Sequence, residues 1–205
     1  MILSAPIVSL SGRIVLRAQT EADDEALTAL NNDPASMRFR PFATARVAVE
    51  DIRALRIADA ADPTCIMFNI HTTPRPGSKS EFVGVSKLYN IDRYYGSSCE
   101  FGFCMSSRHL GLGLARDVLH ATFAYGFEEL KIHRMTFRCT PNHKFVQSWL
   151  QRLGATFEGL GRDGSWDGNG GYQDVCHYSL LEGDWMGGTK AGIEEKILGK
   201  LEARL

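Results

Sequence analysis

The stretch Arg108-His109-Leu110-Gly111-Leu112-Gly113-Leu114-Ala115 lies between an apolar run that ends at Met105 and a long helical stripe that begins at Ala115. Glycines at i and i+2 let a backbone approach a ligand with no Cβ in the way. The amides that follow belong to the first turn of a helix and have no partners within it. The helix dipole adds partial positive charge at the same place. Together these features make an anion site suited to a pyrophosphate, with Arg108 and His109 at its rim. No Gly-Lys-Ser/Thr follows, so the loop is not a Walker loop. The G-x-G-x-x-G spacing of a dinucleotide fold fails at Arg116. Taken alone, the stretch also reads as a tight strand-to-helix turn with no ligand.

Upstream, Arg13 to Arg17 forms a short apolar run, a first strand. Thr20 caps a helix with acids in its first turn, and Pro34 ends it. A second helix runs from Val49 to Ala60, with Ile52, Leu55, Arg56 and Ala60 on one face and Arg53 and Asp59 elsewhere. Cys65 to Ile70, Phe82 to Ile91 and Ser98 to Met105 read as strands joined by the turns at 73–80 and 94–97, an antiparallel meander. Downstream, Ala115, Val118, Leu119, Thr122, Phe123, Gly126, Phe127 and Leu130 recur at steps of three and four, the stripe of a long helix. Met135 to Cys139 is a strand, and Phe145 to Leu153 is a helix closed by Gly154. Residues 159–171, rich in glycine and polar side chains, read as a loop or loose hairpin before a last strand from Gln173 to Leu181. The order βααβββαβαβ(β) implies a mixed α/β sheet with an antiparallel first half.

The chain of 205 residues suits one domain. A net charge of −1 provides no broad field for nucleic acid or an anionic membrane, so the ligand is expected at a local site. Five scattered cysteines without a C-x-x-C pair read as small buried hydrophobes in a reducing compartment. The first residues lack a signal-peptide pattern, and no segment approaches a membrane span. A cytoplasmic protein is expected. Ile193, Ile197, Leu201 and Leu205 give residues 187–205 an amphipathic helical pattern that needs a partner, either the chain's own domain (1–186) or a second copy in a homodimer.

The ordered set of segments resembles the GNAT acetyltransferases, in particular their ribosomal-protein N-acetyltransferase-like branch. The segments that carry the resemblance are Arg108-x-x-Gly111-x-Gly113, Val83-Gly84-Val85 with Leu88 to Asp92, Glu100-Phe101-Gly102-Phe103, Tyr125-Gly126-Phe127, Leu153-Gly154-Ala155, and Tyr172-x-Asp174 with Tyr178 to Leu181 and Trp185. The likeness extends over residues 13 to 185. It implies the GNAT fold: a mostly antiparallel sheet with helices on both faces and a V-shaped splay between the fourth strand (to Met105) and the fifth (Met135 to Cys139). It also implies that acetyl-CoA is the co-substrate and that an amine attacks its thioester directly. The pantetheine would lie along Phe103, Cys104 and Met105. The phosphates would sit on Arg108, His109, Leu110, Gly111, Leu112, Gly113 and Leu114.

The second cofactor segment departs from the family pattern of N-x-x-S. Asn142 is twelve residues before Gly154 where the family has eleven, and the i+3 position is Phe145. Both are carried over as cofactor contacts. The tyrosine that some relatives use as general acid is Leu150 here. The nearest hydroxyl is Ser148, and His143 or water are the alternatives.

Glu100 is a carboxylate in an otherwise apolar strand. It reads either as the base that deprotonates the amine or as a strand residue paired with an arginine. Phe39, Phe42, Tyr89 and Asn90 fall where the branch lines its acceptor pocket. The resemblance implies a small-molecule amine or amino acid as acceptor, or alternatively a protein N-terminus. A CoA-binding sensor without catalysis is a third reading. No His, Cys, Asp or Glu set has metal-ligand spacing.

Overall fold

The computed structural model describes residues 5–38, 46–74, 77, 79–168 and 170–202. Phe39 and Phe42 therefore lie outside the described residues. Among the described residues, eight strands form one sheet: β1 (Ile7–Val8), β2 (Ile14–Arg17), β3 (Ile66–Thr72), β4 (Phe82–Asp92), β5 (Ser98–Met105), β6 (Arg134–Cys139), β7 (Thr156–Trp166) and β8 (Tyr172–Leu181). Their spatial order is β1-β2-β3-β4-β5-β6-β8-β7. Every neighbouring pair is antiparallel except β5 and β6, which run parallel. The helices are α1 (Asp24–Asn32), α2 (Pro34–Met37), α3 (Val49–Ala61), α4 (Leu114–Ala124, continued by a π turn over Tyr125–Glu129), α5 (Lys144–Leu153), α6 (Glu182–Asp184) and α7 (Lys190–Glu202).

Alternation along β4 and β5 assigns the two faces. Leu88, Cys99, Phe101 and Met105 join Val118, Phe123 and Phe127 of the α4 segment in the main core. Val85 and Cys104 point the other way and pack with Leu30 and Met37 of α1 and α2. Gly84 faces the end of β5 so closely that a Cβ there would lie 2.3 Å from the Cys104 carbonyl oxygen. Only glycine fits that crossing.

Pro34 opens α2 instead of closing a helix into coil. It sits at the first helical position, where its missing N–H costs nothing, and Asp33 caps the turn by accepting from the amides of Ala35 and Ser36. On α3 the inward face is Ile52, Arg56 and Asp59, spaced i, i+4, i+7. Arg56 pairs with Asp24 at 2.7 Å and Asp59 with Lys87 at 2.9 Å. Leu55, expected inside, is 58% exposed, because these ion pairs rotate the helix toward α1 and β4. Residues 159–161 and 165–166 pair antiparallel with β8, so of the two readings of this stretch the loose hairpin holds. The ladder is broken by register shifts at 157–159 and 161–165, which explains its weak sequence signature.

The described part of the C-terminal stripe, Ile193 and Ile197, docks on its own domain, whereas Leu205 lies outside the described residues. Ile193 and Ile197 are buried in the main core, Lys190 pairs with Glu128 at 2.9 Å, and His120 meets Glu194 at 2.9 Å. Removing the residues after Gly187 is expected to lower the melting temperature. A truncated protein with an unchanged melting curve would show that α7 rests on α4 without stabilising it.

Candidate active site

β5 ends at Met105, and the chain then makes a 3-10 turn over Ser107–His109 before α4. Gly111 has φ +78° and Gly113 φ +76°, both left-handed, and Gly113 is the residue from which α4 starts. A side chain at either position would cost roughly 1–2 kcal/mol in backbone strain alone. A Cβ on Gly111 would meet nothing within 4 Å, so the space in front of the loop is open. The loop is fastened from the α2 side. The Ser107 amide donates to Ser36 Oγ at 2.8 Å, and Ser107 Oγ donates to Asp33 Oδ2 at 2.7 Å. These hydroxyls, Ser36 first and then Ser107, lower the Asp33 pKa to about 2. The Arg108 side chain is exposed, as are Leu110 and Leu112. His109 turns inward, with Nε2 3.5 Å from Glu81 and Nδ1 buried without a partner. The His109 N–H in turn donates to the Ser106 carbonyl at 2.9 Å, within the turn.

Gly113→Val would place a β-branched residue in a left-handed position at the start of α4. CoA affinity is expected to fall at least tenfold, about 1.4 kcal/mol, with the far-ultraviolet circular dichroism unchanged. Calorimetric titration of both proteins reads this. Equal affinities in a folded variant would put the phosphates elsewhere.

The second part of the site is the gap between β5 and β6. Their pairing covers Ser98↔Arg134, Cys99↔Met135 and Glu100↔Thr136 and stops there, while β5 continues to Met105 and β6 to Cys139. The splay expected between the two strands is present. Ser106 donates to the Val83 carbonyl on β4, whereas the Cys99 carbonyl faces β6 and accepts from Thr136 Oγ1. Antiparallel alternation then turns the backbone groups of Phe101, Phe103 and Met105 into the gap and those of Gly102 and Cys104 onto β4. The Cys104 side chain packs toward Met37, on the face opposite α4. The open edge from Glu100 to Met105 spans roughly 17 Å at about 3.4 Å per residue.

Glu100 occupies the apex of the V, at the last residue pair before the strands part. Its side chain is 11% exposed. The Tyr89 hydroxyl, on the opposite residue of β4, donates to Oε1, and Arg138 Nη1 lies 3.9 Å from the same oxygen. Among the described residues no donor is set on Oε2, and that oxygen is not sealed from solvent. Arg138 also donates to the Gly164 carbonyl at 2.9 Å. Lys87 Nζ sits 5.5 Å from the centre of the Tyr89 ring. Asn90 is exposed at φ +52° within the bulge between Tyr89 and Asp92, a conformation asparagine tolerates.

The other expected site residues lie on the segment after β6. Asn142, Phe145 and Ser148 are exposed, whereas Leu150 is buried. Burial lowers the basicity of His143, which immediately precedes α5. All five cysteines are free. Burial holds the thiols of Cys65 and Cys139 at about 11 and that of Cys99 at about 12, too high for a thiolate nucleophile at neutral pH. Among the described residues no group of acids, histidines or cysteines could hold a metal ion. A depression of about 370 Å³ lined by Glu158, Gly159, Leu160 and His177 lies on the β7–β8 hairpin. Its carboxylate is already engaged by Arg134 and Ser179.

Sequence reading did not identify Arg138, Asp33, Ser107, Arg13 or Asp117 as parts of the site. Of the last two, Arg13 reaches the phosphate loop and Asp117 pairs with it across 104 residues.

A sheet split at a single parallel pair, with a glycine loop leading into a helix at the end of the split, defines an acyl-CoA transferase fold. A family model described as an acetyltransferase (GNAT) domain matches residues 13–156, and the chain belongs to that family. YdaF of Bacillus subtilis (strain 168) is 29% identical over 104 residues, 51% of this chain and 56% of YdaF. The ribosomal protein uS5-alanine N-acetyltransferase of Escherichia coli (strain K12) is 27% identical over 107 residues, 52% of this chain and 48% of that enzyme. The chain thus spans about half the length of these curated relatives. The uncharacterised N-acetyltransferase p20 of Bacillus licheniformis is 26% identical over 181 residues, 85% of this chain and 96% of p20. The fold is shared with a spermidine N-acetyltransferase from Vibrio cholerae solved with CoA and spermine. That match has a TM-score of 0.73 at 21% identity and covers 85% of this chain and 98% of that one.

Proposed function

We propose that this protein transfers the acetyl group of acetyl-CoA to the primary amine of a small molecule or amino acid by direct attack. The observation that carries the proposal is the placement of Glu100, with one oxygen uncommitted, where β5 leaves β6. The glycine loop stands at the other end of the same strand. When bound, acetyl-CoA supplies a thioester activated for acyl transfer. The residues fit such a group: the amides around Gly113 can receive the pyrophosphate, and the open β5 edge at Phe103 and Met105 can pair with the amides of the pantetheine arm. At the apex, the gap-facing amide of Phe101 or Phe103 can donate to an acetyl oxygen as negative charge develops. One such donor contributes about 2.7–4 kcal/mol to the transition state. Glu100 Oε2 takes the proton of the ammonium, directly or through one water, while Tyr89 holds Oε1 fixed. Ser148 on α5 is the side-chain hydroxyl proposed to return a proton to the departing thiolate.

The charges beside Glu100 support the acceptor class. A polyamine has several cationic centres, and here the Glu100 carboxylate already has the Arg138 guanidinium 3.9 Å away. Like-charge neighbours disfavour a second ammonium close to the first. A thiol-release assay with acetyl-CoA and a panel of amino acids, simple amines, spermidine and Ala-initiated peptides tests the proposal. Release is expected with single amines and amino acids. Release confined to peptides would make the acceptor a protein N-terminus. No release with any amine, despite CoA binding, would leave a sensor.

A further inference from the structure

Arg13, at the entry to β2, crosses to the phosphate loop and uses both terminal guanidinium nitrogens there. Nη1 donates to the Leu112 carbonyl at 3.2 Å and Nη2 to the Gly113 carbonyl at 3.1 Å. Nη2 also donates to Asp117 Oδ2 on α4 at 2.5 Å, and Nε donates to Ser11 Oγ at 3.2 Å. The Arg13 side chain is 14% exposed and that of Asp117 is fully buried. The other carboxylate oxygen, Asp117 Oδ1, is buried with no partner. A buried carboxylate left half unsatisfied is costly, and its partner here is the cation that grips the loop.

The direction of the two carbonyls matters. In a trans peptide the C=O and the following N–H point in opposite directions. With the carbonyls of Leu112 and Gly113 drawn toward Arg13, the amides of Gly113 and Leu114 point away from it, out of the protein's grip and toward the open side of the loop. These are the amides at the N-terminus of α4. We propose that Arg13 is a positioning residue that aims the Gly113 and Leu114 amides at the cofactor's pyrophosphate, and that Asp117 holds Arg13 in place while cancelling its charge. Arg13 itself does not touch the phosphates. The inference rests on the reading of this loop as the pyrophosphate site.

Two chemical points follow. A planar fork with donors at fixed angles can hold two successive carbonyls and a carboxylate at once, whereas a lysine ammonium on a flexible stem cannot reproduce that set. Because Asp117 neutralises the guanidinium, the clamp acts through geometry rather than through added positive potential.

The test uses Arg13→Lys, which keeps the ion pair with Asp117 but loses the fork. Calorimetric titration with CoA is compared with titration, by displacement if needed, with pantetheine, which lacks the pyrophosphate. In the variant the Kd for CoA is expected to rise at least tenfold while that for pantetheine stays within about twofold. The ratio of the two constants, measured on one sample, does not depend on how much of that sample is folded, so a general loss of structure cannot imitate the result. Arg13→Met, which removes the charge as well, is expected to shift the ratio in the same direction. Equal weakening of both probes would make Arg13 a stabilising residue only and overturn the inference, as would an unchanged ratio. A wild-type protein that binds pantetheine as tightly as CoA would instead show that the loop does not hold the phosphates.

Discussion

Glu100→Gln is expected to lower turnover by about 10²-fold or more, with CoA affinity nearly unchanged. The substitution preserves shape, and a Gln side-chain oxygen can still accept from the Tyr89 hydroxyl that now bonds Oε1. What is lost is a proton acceptor at the apex of the V, where β5 and β6 share their last residue pair. Amine acceptors are largely protonated at pH 7, and a neutral amide cannot take that proton. As pH rises toward the amine's own pKa, free amine becomes abundant and the need for a base falls. The deficit of the variant should therefore shrink steadily between pH 6 and 10. Steady-state rates of both proteins across that range measure it. A constant ratio of rates would mean that Glu100 orients the acceptor and does not deprotonate it. Wild-type rates throughout would pass the proton to ordered water or a backbone carbonyl. Arg138→Gln provides a control, because it removes the neighbour 3.9 Å from the carboxylate without removing the base. Its effect is expected to be smaller and to lie mainly in KM for an anionic acceptor.

The parts of the site that were legible in the sequence are those whose physics is local. Gly111 and Gly113 take left-handed φ within one turn of a helix start, and a glycine pair before an apolar stripe signals that directly. Glu100 stood out because a carboxylate in an apolar strand requires a reason, and the structure places Arg138 3.9 Å from it and the Tyr89 hydroxyl on it. What stayed hidden is non-local. Arg13 and Asp117 are separated by 104 residues, and nothing near either one announces the other. The bonds from Ser107 to Asp33 and Ser36 span more than 70 residues. The β7–β8 hairpin was obscured for a different reason. Its register shifts break the period-two pattern by which an edge strand is recognised, and its glycines resemble a loop. The face of α3 was misjudged because its inward side is held by Arg56 and Asp59 ion pairs, which hydrophobic periodicity does not detect.

Trp185→Ala is expected to produce the largest loss of stability that leaves the active site in place. The indole is fully buried. It stacks on Phe127 with centroids 5.7 Å apart and meets Phe123 edge-on at 6.0 Å. Its Nε1–H donates to Glu128 at 2.9 Å, the same carboxylate that Lys190 approaches from the start of α7. Truncation removes the filler between the end of α4 and the C-terminal segment and strips a partly buried carboxylate of one donor. Buried Trp→Ala changes cost about 3–5 kcal/mol. At roughly 2–4 °C per kcal/mol for a chain of this size, the melting temperature should fall by roughly 6–20 °C. Trp185→Phe separates the two contributions, since it keeps most of the packing and loses the N–H, and its melting temperature should fall between the other two. CoA affinity measured well below the transition should stay within about threefold of wild type. The reason is distance: Phe127 is fourteen residues beyond Gly113, roughly 20 Å along the helix axis at about 1.5 Å per residue. If affinity fell in step with stability at low temperature, the N-terminus of α4 would depend on packing at its far end. The phosphate loop would then be set by the whole helix rather than by the contacts at Gly113.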